Sequence, residues 1–174
     1  MTAETVALSE LNDLDQSTFV QVCGDFFEDS PWVAERTWQH RPFPTLQALH
    51  DACMREVRSA SQETQIALIR AHPDLVGRMA RDGRLSAAST EEQKAAGLTD
   101  LSSDEIETFE HYNAAYHEKF GFPFVICARE NKKDAILQAF PKRLANGRDE
   151  EIETALAEIG RIAWLRMVDR LEEA

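Results

Sequence analysis

Apolar residues recur at helical spacing along nearly the whole chain, and a single stretch, Gly121-Phe122-Pro123-Phe124-Val125-Ile126-Cys127-Ala128, refuses the pattern. Helices patterned this way must bury their apolar stripes against one another. The predicted fold class is therefore all-α, a single-domain irregular helical bundle over residues 1–174 with one short extended segment at 121–128. Helices are expected at 17–27, 32–38, 46–57, 62–71, 75–81, 90–96, 103–119, 132–145 and 150–171. Ser102-Ser103-Asp104-Glu105 and Ser89-Thr90-Glu91-Glu92 both have the spacing of a capping box, in which a Ser and a Glu satisfy each other's backbone N–H groups. Pro141 falls inside a helical stretch and should kink or break it. At the exception, Gly121 ends the preceding helix and Pro123 disfavours helix at Phe122, so the segment is predicted to be extended. Buried extended backbone needs partners for its N–H and C=O groups. Neighbouring loops or water can supply them, and so can a ligand rich in amides.

Composition narrows the function classes. With 43% hydrophobic residues, 174 residues can bury one substantial core. The longest apolar run, 122–128, is far below the roughly 18 to 20 residues of a membrane span. The first ten residues show no secretory pattern and residues 171–174 no peroxisomal tripeptide, so a cytoplasmic location is expected. Cys23, Cys53 and Cys127 have neither pairing nor zinc-site spacing, and His40, His50, His111 and His117 show no metal-ligand spacing, which argues against a metal site. A net charge of −12 repels nucleic acid and anionic membranes. An anionic substrate would then depend on well-placed arginines.

One arginine answers that description. At about 100° per residue, Ile152, Leu156, Ile159, Ile162, Ala163 and Met167 share an arc of the last helix that includes Arg166, whereas Arg161 points away. An inward guanidinium needs a partner; an internal salt bridge would explain it, and so would a bound anion. His72, in Ala71-His72-Pro73-Asp74-Leu75, stands where a helix stops against a proline. It can cap the last carbonyls or turn its ring into a pocket. Glu92 can serve its own helix as the last member of the Ser89 capping box, or it can do chemistry; Gln93 beside it would ordinarily be exposed filler.

Taken together, His72-Pro73-Asp74-Leu75, then Ser89-x-x-Glu92-Gln93-x-x-Ala96-Gly97-Leu98, then Asn113-x-x-Tyr116-x-x-Lys119-Phe120-Gly121-Phe122-Pro123-Phe124-Val125-Ile126, and finally Arg166, resemble the 2-oxo-4-hydroxy-4-carboxy-5-ureidoimidazoline (OHCU) decarboxylases in order and spacing. The resemblance implies one OHCU decarboxylase-like domain across 1–174 that converts OHCU to (S)-allantoin in urate breakdown without a cofactor or metal. It implies His72, Glu92 and Arg166 as catalytic residues. Substrate binding would fall to Pro73, Ser89, Gln93 and the backbone of Phe124, Val125, Ile126, Cys127 and Ala128. The implied partner is the small-molecule substrate, with no nucleic acid and no membrane, and a homodimer is left open. A ureide-binding domain without turnover and a hydrolase of a neighbouring purine-pathway compound are the rival readings.

Overall fold

The structure, a computed structural model, describes residues 4–77 and 85–173. The described residues are mainly helical, with one short pair of strands among them, and the chain divides into two compact units. One comprises the residues up to Ala71 together with those from Gly160 onward; the other runs from His72 to Ile159.

In the first unit β1 (Val6–Ala7) leads into α1 (Leu8–Asn12), α2 (Gln16–Cys23), α3 (Trp32–Thr37), α4 (Leu46–Ser59) and α5 (Gln62–Arg70). Each of the longer helices starts at a side chain that accepts an otherwise orphaned N–H: Asp15 from Thr18, Thr45 from Ala48, Ser61 from Thr64. Leu11, Phe19, Val33, Leu49, Val57, Leu68 and Ile69 form the core. The expected helices at 17–27 and 32–38 are present but finish in 3₁₀ turns, Gly24–Phe26 and Trp38–His40. The last residues of the chain contribute β2 (Leu171–Glu172), which lies parallel to β1 with Val6 opposite Leu171. The expected helix at 150–171 accordingly stops at Arg170.

The second unit contains α6 (Ala87–Ala95), α7 (Ser103–Phe120), α8 (Lys133–Leu144) and the first half of α9 (Arg148–Arg170). The box at Ser102 forms as expected: its hydroxyl accepts from Glu105 N and the Glu105 carboxylate from Ser102 N. The box at Ser89 does not. Helix α6 begins three residues earlier, where the Ser86 hydroxyl accepts from Ser89 N at 3.1 Å, and this places Ser89 and Glu92 inside the helix. Pro141 does not break α8 either. It sits in the last turn between buried Phe140 and buried Arg143, whose anchoring outweighs one lost backbone bond. Of the helix expected at 75–81, residues 75–77 form a turn, and residues 78–81 lie outside the described residues.

Gly121 ends α7 with φ 76°, a left-handed conformation that costs a side chain-bearing residue energy, and releases the chain into the expected extended stretch. From Phe122 to Ala128 every residue is buried. The Phe124 and Phe140 rings stack with centroids 3.8 Å apart, and Tyr116 meets Phe120, Phe122 and Phe124 in turn. Each such ring removes enough apolar surface from water to stabilise by about 1.5–3 kcal/mol.

Candidate active site

His72 follows the end of α5, and its side chain is buried, 7% exposed. The turn after it is fastened at successive residues. Gln93, on α6, accepts from Val76 N at 3.2 Å and donates to Asp74 O at 3.4 Å; Asn113, on α7, donates to Leu75 O at 2.8 Å; His117, one helical turn further along, meets the Asp74 carboxylate at 2.8 Å. Val76 has φ 54°, a costly conformation for a β-branched residue. Such strain persists only where the surroundings over-determine the backbone, which the four bonds do.

Helix α6 sets Ser89, Gln93 and Ala96 on its buried face, with Glu92 half-buried beside them. A capping role for Glu92 is overturned by the helix start at Ser86, since Glu92 now sits in the second turn, with its own carbonyl accepting from Ala96 N. The end of α6 is tied to the chain leaving the extended stretch: Lys133 N donates to Ala96 O at 3.1 Å and Lys132 Nζ to Ala95 O at 2.6 Å. Burial raises the pKa of the Cys127 thiol, and the charges of Glu130, Glu158 and Glu92 raise it a little further, to about 11. Cys127 is therefore a neutral packing residue at ordinary pH.

The extended stretch finds protein partners for part of its backbone. Arg143 Nη1 donates to Val125 O at 2.5 Å, while Asn131 Nδ2 and Glu130 N donate to Cys127 O at 2.9 and 3.2 Å. Arg143 is itself held by Glu151 at 2.6 Å, and Glu151 also accepts from the Tyr116 hydroxyl at 2.6 Å and from Asn146 at 2.9 Å. Burial first, and then the bond to Glu151, hold the Tyr116 pKa well above its ordinary value. Sequence reasoning missed this network. Arg143 stands in the last turn of its helix, where an arginine ordinarily reads as a surface partner of the helix dipole.

In the other unit Arg166 is 8% exposed and Arg161 is exposed, as the helical phase requires. Arg166 Nη1 donates to Glu28 Oε2 at 2.8 Å and to Asp25 O at 3.0 Å. The internal salt bridge left open by the sequence is thus present, with a partner that sequence reasoning did not identify. Among the described residues no group of three or more His, Cys, Asp or Glu is placed to hold a metal ion, and no helix is long and apolar enough to cross a membrane.

A family model described as OHCU decarboxylase matches residues 12–168. The chain belongs to the OHCU decarboxylase family. A relative from Halalkalicoccus jeotgali, named 2-oxo-4-hydroxy-4-carboxy-5-ureidoimidazoline decarboxylase, is 42% identical over 162 residues, covering 93% of this chain and 90% of its own. One of the same name from Haloferax volcanii is 42% identical over 165 residues, covering 95% and 96%. Among solved structures, a crystal structure of (S)-allantoin synthase superposes with a TM-score of 0.76 at 25% identity; it matches 96% of this chain, which spans 54% of that one. Membership in the OHCU decarboxylase family accords with the all-helical architecture. In the unit from His72 to Ile159, the structure brings the His72 turn to Gln93, and α6 to the exit of the extended stretch. Arg166 belongs to the other unit, beside Glu28.

Proposed function

We propose that this chain decarboxylates OHCU to (S)-allantoin in urate breakdown, with His72, Glu92 and Arg166 as its catalytic residues. One observation carries the reading: the family match over residues 12–168 includes every residue assigned to the site. Because that match runs through both compact units, we take residues 1–174 as one catalytic domain.

The carboxylate of OHCU leaves a carbon next to a C=N group. When that C–C bond breaks, its electron pair forms a new C=C bond, the C=N pair moves onto nitrogen, and nitrogen takes a proton. The resulting enol then loses its O–H proton and gains one on carbon, which fixes the configuration of allantoin. The substrate supplies the electron sink, so protein groups need only orient the carboxylate, exclude water and deliver the carbon-bound proton to one face. An imidazole with an ordinary pKa of about 6.5 suits that delivery near neutral pH, and this reading gives the task to His72. Glu92, relieved of capping, orients the His72 ring or the substrate hydroxyl. Arg166, held by Glu28, is assigned to the substrate oxygens in this reading.

Substrate amides fall to Ser89, Pro73, Gln93 and the Phe124, Val125, Ile126, Cys127 and Ala128 backbone. Gln93 spends one N–H and one lone pair on the His72 turn and keeps one of each for substrate. Successive carbonyls of extended backbone alternate in direction. Val125 O and Cys127 O are taken up by Arg143 and Asn131, and this reading assigns the carbonyls of Phe124 and Ile126 to the substrate.

Generating OHCU in situ and following its ultraviolet absorbance and circular dichroism tests the reading. Accelerated decay to one enantiomer of allantoin is expected; decay at the spontaneous rate to racemic product would overturn it. We also place the protein in the cytoplasm, supported by its three buried free cysteines.

A further inference from the structure

We propose that Asn113 and His117 are positioning residues for His72, acting from one face of α7 through the turn that carries the proton donor. The inference rests on the assignment of His72 as that donor. His72 belongs to no regular helix, so the backbone on either side of it helps set the direction of its ring; Ala71 N is bonded to the end of α5, and the bonds at Asp74, Leu75 and Val76 hold the following turn. Pro73 between them transmits the constraint, because its ring fixes φ. Val76 at φ 54° is the sign that the turn is held against its local preference.

Asn113 and His117 are four residues apart on α7 and therefore neighbours on its surface. Their contributions differ. Asn113 is buried, its amide nitrogen is spent on Leu75 O, and its Oδ1 has no hydrogen-bond partner among the described residues. Its side chain's one bond to protein is thus the one on the His72 turn. His117 adds a half-exposed contact to the Asp74 side chain from the same helix face. The Asn113-x-x-Tyr116 spacing has the same logic, since Tyr116 faces the Glu151–Arg143 pair that holds Val125 O. One helix thus steadies both the donor turn and the extended backbone.

Asn113→Leu removes the donor with little change in volume, and His117→Ala removes the partly exposed contact. Both are assayed with enough enzyme to make spontaneous decay negligible. For Asn113→Leu the expectation is a fall in kcat of about tenfold or more, KM within twofold, and allantoin of reduced enantiomeric purity; His117→Ala should shift all three in the same direction by less. Combined with His72→Asn, Asn113→Leu should add no further loss, because it acts through His72. Full enantiomeric purity at the wild-type kcat in folded Asn113→Leu, or an additive loss in the double variant, overturns the proposal. Should Asn113→Leu fail to fold by circular dichroism, His117→Ala is judged by the same criteria. His72→Asn alone separates the two readings. If it keeps rate and stereocontrol, the donor assignment fails; if it loses both while the α7 variants keep them, only the positioning role fails.

Discussion

Glu92 lies in the second turn of a helix whose first N–H groups are served by Ser86, so the two residues separate cleanly by experiment. Glu92→Gln keeps the size and removes the charge; we expect a large fall in kcat with stability within about 0.5 kcal/mol. Ser86→Ala should do the reverse, costing about 0.5–2 kcal/mol with the rate intact. A wild-type rate in Glu92→Gln would return Glu92 to a structural role. Arg166→Lys and Arg161→Lys make a second pair. Lysine cannot reproduce a planar fork held by Glu28 and Asp25 O while also serving a substrate oxygen, so turnover should collapse in the first and be unchanged in the exposed second. Equal kcat/KM losses would show that the inward position does not matter. The buried thiols give a prediction of their own. Burial pushes Cys53 up to about 12, whereas an unfolded thiol ionises near 8.5. Above that pH the folded state holds the extra proton, so the contribution is intact below about 8.5 and is lost as pH rises toward 12. The thermal midpoint of wild type should therefore approach that of Cys53→Ala between pH 8 and 11; a constant gap would contradict the assignment.

At the scale of elements, legibility followed how local each signal was. Asp15, Thr45, Ser61 and Ser102 act within three residues of themselves, and the helices they start stand where the periodicity put them. Ser86 and Ser89 compete for the same helix start, and spacing alone favours Ser89 because Glu92 completes its box; the choice of Ser86 buries Ser89 and Gln93. The β1–β2 pair joins residues more than 160 positions apart in strands of two residues, too short to show alternation. The extended stretch was visible from Gly121 and Pro123, but its bond from Arg143 was not, because an Arg in the last turn of a helix reads as a favourable dipole partner at the surface. That bond makes a prediction. Arg143→Leu leaves the fully buried Glu151 carboxylate without its cation and should cost about 3–5 kcal/mol. Replacing both partners, Arg143→Leu with Glu151→Leu, should recover much of the stability but not the KM, since Val125 O still lacks its donor. Denaturant melts and KM values on both variants decide it; a wild-type KM in the double variant would release the extended backbone from its assigned role in binding.

For the whole molecule, the residues proposed for the site stood out in the sequence as a pattern, while the partners the structure gives them did not. Arg166 had thirty-one acidic residues from which to draw, and nothing in the sequence singled out Glu28. The excess of those acids over nineteen basic residues has a functional consequence of its own. A net charge of −12 repels an anionic substrate over distances set by salt, about 30 Å at 0.01 M ionic strength and about 10 Å at 0.1 M. The attraction to Arg166 proposed above would act over a few ångströms in a buried setting and be screened far less. Adding salt should therefore weaken the repulsion more than the attraction. Between 0.01 and 0.1 M sodium chloride, about the span over which those screening lengths differ most, we expect KM for OHCU to fall and kcat to stay constant, because the chemical step occurs after the field has been crossed. The spontaneous decay of OHCU measured at each salt concentration provides the control. A KM that rises with salt would mean that the local cation field at the site outweighs the global charge, and a kcat that moves in parallel would mean that the charges act on the transition state instead of on encounter.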